Sequence, residues 1–184
     1  MPDTEGVSAI VALIASGLIL APRVDGSGGG IDYNVFPRFG SFSTDPMVKT
    51  VQRTVQTTGQ GDVRDITGDV AAALSDSAMR DGVATVAVVG STAALTTIEF
   101  EPGAVADFDR LLEHLAPRAG EYAHHERWGD DNGSSHVRAA LIGAAVTLPF
   151  FGAQLALGTW QQLVLVECDT RPRTRDVVVQ LVGE

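Results

Sequence analysis

The C-terminal part of the sequence contains three strand-like segments that follow one another without a helix between them, at residues 146–150, 161–168 and 175–182. A parallel, doubly wound sheet would place helices between its strands, so this order argues against a Rossmann-type fold. A strand-dominated sandwich accommodates the same order directly. The sequence therefore predicts an α+β fold with a β-sandwich-type sheet core.

Four segments upstream also have the composition of β-strands. Residues 48–57 (VKTVQRTVQT) are β-branched and polar, which predicts an exposed edge strand, and residues 62–66 predict a short strand. Residues 83–89 (VATVAVV) form a nearly continuous apolar run, which is typical of a strand buried on both faces. Residues 93–100 predict a further strand that ends before Pro102.

Two to three helices are predicted between these strands. Val70, Leu74 and Ala78 recur every fourth residue, which predicts a helix that closes near Gly82. Residues 104–116 form the clearest amphipathic helix. Its predicted apolar face consists of Phe108, Leu111, Leu112 and Leu115. A short third helix is predicted at residues 136–143.

The segment 117–135 is polar, and it is too long for an ordinary connection between secondary-structure elements. Histidines and aspartates are concentrated in and beside it: His124, His125, Asp130, Asp131 and His136. Imidazole nitrogens and carboxylate oxygens are the usual ligands of zinc and similar divalent ions. The spacing matches no zinc-finger pattern, so both a metal site and a polar surface loop remain open interpretations.

Two other polar positions follow predicted strands. The Gly90-Ser91-Thr92 turn leaves the most apolar strand and offers backbone N–H groups and hydroxyls to an anion such as phosphate. Turns of this composition are usually only turns, so that interpretation stays open. Glu99 ends the next strand, and two interpretations of it stay open. It is a catalytic base or a ligand, or it is an exposed residue at the rim of the sheet.

The last two strands bring further candidates. Arg171, Arg173 and Arg175 form either a charged hairpin turn or a patch that captures phosphate. Trp160 lies at a turn before a buried strand and is predicted to belong to the core. Cys168 lies in an apolar strand and is predicted to be buried rather than reactive.

Residues 1–46 differ in character from the rest of the chain. An apolar run of 15 residues at 7–21 is interpreted as an apolar helix or an artefactual stretch, and it is shorter than the roughly 20 residues of a bilayer span. A signal peptide would require a Lys or Arg before such a run, and none is present here. A Gly-rich linker at 25–30 follows, and residues 31–46 have no helical or strand periodicity. We therefore predict a poorly ordered extension or a mis-assigned start at 1–46, and one domain at 47–184.

The charge balance limits the classes of partner. Lys and Arg number 13 and Asp and Glu number 23, which gives a formal net charge of −10. Nucleic acids and anionic membranes need a basic surface, so neither is expected as the main partner. The single cysteine excludes an intramolecular disulfide and is compatible with a reducing compartment. We predict a cytoplasmic protein.

Several separated motifs resemble the YjbQ family, also called the secondary thiamine-phosphate synthase family. They are residues 89–101 (VGSTAALTTIEFE), 122–143 and 157–162 (LGTWQQ), and the resemblance runs over about 47–184. It implies a compact, β-sandwich-like α+β domain that assembles into homotrimers. It also implies a weak transferase activity that joins a hydroxymethylpyrimidine pyrophosphate to a thiazole phosphate and releases pyrophosphate, so the expected ligand is a small phosphorylated metabolite.

The same resemblance implies a divalent metal, zinc or magnesium, in a histidine-containing pocket. The implied metal ligands are His124, His136 and Asp131, with Asp130 as the alternative in a register uncertain by one residue. Gly90 and Ser134 stand where many relatives have histidines, which predicts weaker metal binding or none if those histidines are ligands.

Roles in catalysis and substrate binding are carried over in the same way. The implied catalytic residues are Glu99, His136 and Arg138, and the implied substrate-binding residues are Ser91, Thr92, Thr159 and Trp160. The sequence contains no recognisable pair of a nucleophile and a general base. A homotrimer that binds a small molecule or metal without catalytic turnover is therefore the alternative function.

Overall fold

The computed structural model describes residues 20–23, 32–35 and 47–184. The chain divides into two compact units, Met1–Thr44 and Asp45–Glu184. In the first, strand β1 (Leu20–Arg23) pairs antiparallel with β2 (Asp32–Val35). Residues 31–46 show no strand periodicity, yet Asp32–Val35 form β2, because backbone pairing needs no alternation of apolar side chains. Residues 20–21 end the apolar run interpreted as a helix or an artefactual stretch, and they lie in β1, so the helix interpretation is wrong there. The rest of that predicted helix and the predicted linker lie outside the described residues.

The second unit contains a five-stranded antiparallel sheet in the order β3-β10-β5-β7-β8. Its strands are β3 (Met47–Gln56), β5 (Gly82–Val89), β7 (Ala145–Phe151), β8 (Gln154–Leu155) and β10 (Thr174–Gly183). The first strand lies at one edge, as its polar, β-branched sequence predicts. Strand β10, the second in this order, pairs with β3 over its whole length, from Thr174 opposite Gln56 to Gly183 opposite Met47.

A three-stranded antiparallel sheet, in the order β4-β9-β6, forms the second layer. It consists of β4 (Val63–Asp65), β6 (Ala93–Ile98) and β9 (Gln162–Glu167). Ala93 pairs with Glu167 and Ile98 pairs with Gln162, so the start of β6 lies beside the end of β9. The predicted α+β fold with a two-layer sheet core is confirmed.

Four helices complete the described part of this unit, where two to three were predicted. They are α1 (Thr67–Ser75), α2 (Pro102–Leu115), α3 (Ala123–Trp128) and α4 (Gly133–Ile142). The helix missed by the prediction is α3, which lies in the polar segment. It has six residues and ends at Gly129, whose left-handed φ of 68° stops it. So short a helix is too brief to display an apolar stripe.

The main core lies between the two sheets. It contains the inward side chains of β5 and β10, the Leu side chains of β9 and the buried face of α1. The prediction that β5 is buried on both faces is wrong for a single chain, because Val83 is 40% and Val89 is 62% exposed. Successive side chains of a strand point to opposite faces. Both residues therefore lie on the outer face of the five-stranded sheet, which no described element covers.

A second, smaller core lies on the other side of the three-stranded sheet. Val164, Val166 and Cys168 pack there against Ala139 of α4 and the half-buried Phe108 of α2. The predicted apolar face of α2 is only partly buried, since Leu111 is 52% and Leu115 is 56% exposed. Within the described residues, no helix is both long and apolar enough to cross a bilayer.

Candidate functional site

A buried ion pair joins the start of β10 to the end of β9. The Nε atom of Arg175 donates to Oε2 of Glu167 at 2.7 Å, and its Nη2 atom donates to the other carboxylate oxygen. The Glu167 side chain is fully buried. Burial alone would lower the pKa of Arg175, but hydrogen bonds to Glu167 and its charge raise that pKa above its ordinary value. Arg175 therefore keeps its positive charge beside Glu167.

Thr92 and Asp169 extend this pair into a network. The Thr92 hydroxyl donates to Oδ2 of Asp169 at 3.0 Å and accepts from Nη2 of Arg175 at 2.8 Å. Arg173 donates to the same Asp169 oxygen at 2.9 Å. Burial alone would raise the pKa of Asp169, but the bonds from Thr92 and Arg173 lower it. We call Thr92, Glu167, Asp169, Arg173 and Arg175 the ion cluster.

The arginines thus separate into different environments. Arg171 is exposed at the turn, whereas Arg175 is buried. Arg171 and Arg173 lie in the turn before β10, whereas Arg175 lies within β10, so the interpretation of all three as a charged hairpin turn is wrong for Arg175. Sequence reasoning did not single out Glu167 or Asp169. The available signal was two carboxylates in the otherwise apolar stretch LVLVECD, which need partners if they are buried.

The turn predicted to bind an anion lies directly over this cluster. Gly90 follows β5 with a φ of +147°, and a Cβ atom added there would lie 3.1 Å from Nη1 of Arg175. Ser91 is exposed, whereas Thr92 is buried with its hydroxyl already bonded on two sides. A ligand could therefore meet the Ser91 side chain, but only the backbone N–H of Thr92.

The short helix α3 brings two of the predicted histidines together. The rings of His124 and His136 lie with their centroids 4.5 Å apart. Nε2 of His124 lies 3.5 Å from Oδ1 of Asp130. With its amide nitrogen turned toward them, Asn132 donates to both groups at 3.1 Å. His124, Asp130, Asn132 and His136 form what we call the histidine cluster.

The other members of the polar segment have structural contacts instead. His125 accepts the backbone N–H of Gly133 at Nε2, at 3.0 Å, and so holds α3 against α4. Asp131 accepts from the Thr170 hydroxyl at 3.2 Å, beside the ion cluster. Ser134 is buried and accepts from Gln60. Asp131 lies between two residues of the histidine cluster and Thr170 follows Asp169 of the ion cluster, so this bond joins the segments that carry the two clusters. We call the two clusters and the Gly90–Thr92 turn the polar edge.

The donor set does not fit a resident divalent ion. Among residues 47–184, no three His, Cys, Asp or Glu side chains converge closely enough to hold a metal. The expected set of His124, His136 and Asp131 is not assembled, because Asp131 bonds to Thr170 and the carboxylate beside His124 belongs to Asp130. A protein zinc site needs three or four converging ligands.

Arg138 connects two helices in the interior. It is 1% exposed, and its Nη2 donates to Glu113 at 2.6 Å while its Nε donates to the carbonyl of Ala116 at 2.8 Å. A backbone hydrogen bond from Arg118, followed by the bond from Arg138, lowers the pKa of Glu113. Its described hydrogen bonds and ion pairs join α4 to the end of α2 and include neither histidine of the cluster.

The remaining predicted residues lie at the opposite end of the three-stranded sheet. Glu99 follows the last residue of β6, and Thr159 and Trp160 precede the first residue of β9. Thr92 precedes the other end of β6, so about 20 Å of strand separates it from Glu99. Trp160 is 71% exposed, so its assignment to the core is wrong within the described unit. The turn that carries Trp160 is instead held by hydrogen bonds. For example, the backbone N–H of Gly158 donates to Oε1 of Gln161 at 3.1 Å.

Cys168 follows the last residue of β9, at the end of the sheet that carries the ion cluster, and it is buried, as predicted. Burial, followed by the charge of Glu167, raises the pKa of its thiol to about 12. The thiolate is the reactive form of cysteine, so Cys168 is not a nucleophile at neutral pH.

Comparison with known proteins places this geometry in a family. Residues 51–184 match the model of the UPF0047 protein YjbQ-like family. A UPF0047 protein of Methanothermobacter thermautotrophicus is 33% identical over 74% of this chain and 94% of its own length. The UPF0047 protein YugU of Bacillus subtilis is 30% identical over 74% of this chain and all of its own length.

Solved structures agree with the sequence comparison. A YbjQ-like protein of unknown function from Sulfolobus solfataricus superposes with a TM-score of 0.72 and 29% identity, covering 76% of this chain and 100% of that one. A hypothetical protein from Aeropyrum pernix gives a TM-score of 0.68 and 34% identity, with 74% and 99% coverage. The chain therefore belongs to the UPF0047 (YjbQ-like) family through its residues 51–184.

Proposed function

We propose that this protein binds small phosphorylated metabolites at the polar edge and weakly catalyses thiamine-phosphate formation. One observation carries the proposal: His124 and His136 lie together, and the Asp131–Thr170 bond joins their segment to the ion cluster. Groups that can donate protons and groups that can bind anions are thereby combined along one edge. Such a combination suits a reaction in which a phosphorylated group leaves.

The proposed reaction forms one bond and breaks one bond. The lone pair of the thiazole nitrogen forms a C–N bond with the methylene carbon of the pyrimidine. The C–O bond to pyrophosphate breaks, and its electron pair leaves with the pyrophosphate. Donors that are already oriented toward the leaving oxygen stabilise its growing charge, and a protonated imidazole of His124 or His136 can supply a proton. No step is assigned to a metal ion.

The proposed role of the histidines predicts a loss of activity in His136→Ala. Thiamine-phosphate formation by the purified full chain from the two substrates should fall at least about tenfold, since general acid catalysis contributes that much or more. His114→Ala, an exposed position on α2, is the matched control and should retain the wild-type rate. A double variant of His124 and His136 that keeps the wild-type rate would overturn the assignment.

The second candidate function is a homotrimer that binds a metabolite without turnover. The observation that favours it is the separation of Glu99, Thr159 and Trp160 from the polar edge by about 20 Å in one chain. Arg138 is also fully engaged with Glu113 and the Ala116 carbonyl. Self-association is supported by the apolar side chains exposed on the outer face of the five-stranded sheet, Val83, Val89 and Phe151.

Self-association through this face is tested by the mass of the protein in solution. We expect sedimentation equilibrium to give three times the 19.3-kDa chain mass. Val89→Glu should lower that mass, because a trimer would bury the new carboxylate without a partner. Ala71→Glu adds the same charge at an exposed position of α1 and should leave the mass unchanged. A monomeric wild-type protein would contradict the trimer.

A further inference from the structure

One donor group of the ion cluster has no hydrogen-bond acceptor among residues 47–184. Nε and Nη2 of Arg175 bond to Glu167 and Thr92, but Nη1 makes no hydrogen bond to any group in residues 47–184. The side chain is only 8% exposed. Nη1 is not among the buried atoms that lack a partner, so it is accessible from outside while the bonds of Nε and Nη2 hold the guanidinium in place.

The Gly90–Thr92 turn leaves space beside this nitrogen for another group. Gly90 has no side chain, and the position its Cβ would occupy lies 3.1 Å from Nη1. Across the described residues, the backbone N–H groups of Ser91 and Thr92 also donate to no backbone or side-chain acceptor. The exposed Ser91 hydroxyl is a further donor in the same turn. Successive free N–H groups in a turn form an anion-binding concavity.

The carboxylates of the cluster do not compete for this position. Both oxygens of Glu167 accept hydrogen bonds, from Thr57, the Asp169 N–H and Arg175. Both oxygens of Asp169 accept as well, from Thr92, Arg173 and the Arg171 N–H. The two arginines and two carboxylates that form ion pairs here cancel in formal charge. The unused groups above the cluster are therefore donors.

We infer that Nη1 of Arg175, the N–H groups of Ser91 and Thr92 and the Ser91 hydroxyl form a subsite for a phosphate group. This deepens the proposed function, on which it rests for the identity of the ligand: the subsite takes the terminal phosphate of a phosphorylated substrate. Phosphate oxygens accept well from planar guanidinium and backbone donors.

The test is calorimetric titration of the full chain with inorganic phosphate. We expect one phosphate per chain with a Kd of about 1 mM, and tighter binding of pyrophosphate and of a phosphate monoester. Ser91→Glu puts a carboxylate among the donors at an exposed position and should weaken binding at least tenfold. Arg175→Lys keeps the charge but removes Nη1 and should do the same, with circular dichroism reporting whether it folds. Arg110→Ala removes an exposed cation on α2 and should bind as the wild type.

The outcomes separate the subsite from the proposed reaction. Phosphate binding that Ser91→Glu abolishes, together with no thiamine-phosphate formation, supports the subsite and overturns the reaction. No binding up to about 10 mM, or equal binding by wild type and Ser91→Glu, overturns the subsite. If Arg175→Lys does not fold, Ser91→Glu alone decides.

Discussion

Glu167→Ala is expected to lower the free energy of unfolding by about 3–5 kcal/mol, because it leaves Arg175 buried without its counter-charge. Glu167 is fully buried and supplies both oxygens to the Arg175 guanidinium. Urea unfolding followed by circular dichroism measures the change. Glu167→Gln keeps the shape and part of the hydrogen bonding and should cost less than Glu167→Ala.

The matched control is a carboxylate in an exposed ion pair. Asp107 pairs with Arg110 on the surface of α2, and both side chains are largely exposed. Asp107→Ala should change the free energy of unfolding by less than about 1 kcal/mol. Equal effects of Glu167→Ala and Asp107→Ala would show that the ion cluster does not stabilise the fold.

Gly82→Ala is the second large effect, with an expected loss of about 3 kcal/mol or more. The new Cβ atom would overlap the carbonyl oxygen of Val182 and lie 2.7 Å from the Cα atom of Gly183. Both atoms belong to the backbone of β10, which pairs with β5 at this point. Relief of the overlap therefore requires these two strands to separate.

Gly68→Ala provides the comparison for this substitution. Gly68 lies in the first turn of α1, and an added Cβ there would contact nothing within 4 Å. Alanine favours helix more than glycine does, so we expect an unchanged or slightly higher free energy of unfolding. A loss at Gly68 as large as the loss at Gly82 would contradict the explanation by backbone overlap.

The strands were predictable because their composition is rich in β-branched residues. Residues 48–57 and 175–182 each contain several valines, and they form β3 and β10. The exposure of β5 was not predictable from its apolar run, because periodicity gives the composition of both faces and not what covers them. The helix α3 was missed because six residues are too few to establish a period.

The site was predictable in its residue types and less so in its geometry. His124 and His136 were singled out from composition, and their contact depends on α3, which the sequence did not reveal. Glu167 was overlooked because a strand pattern does not indicate which carboxylate is buried. The distance between Thr92 and Glu99, by contrast, is already implied by the predicted strand at 93–100, which the structure places at 93–98.

The neutrality of the ion cluster has a consequence for selectivity. The whole chain carries a formal charge of −10, so its long-range field repels phosphorylated molecules. An anion that reaches the turn above Arg175 is held only by short-range hydrogen bonds, which require a matching arrangement of oxygens. Discrimination among anions at close range would therefore depend on the arrangement of their oxygens, and further negative charge elsewhere on a molecule would weaken its approach.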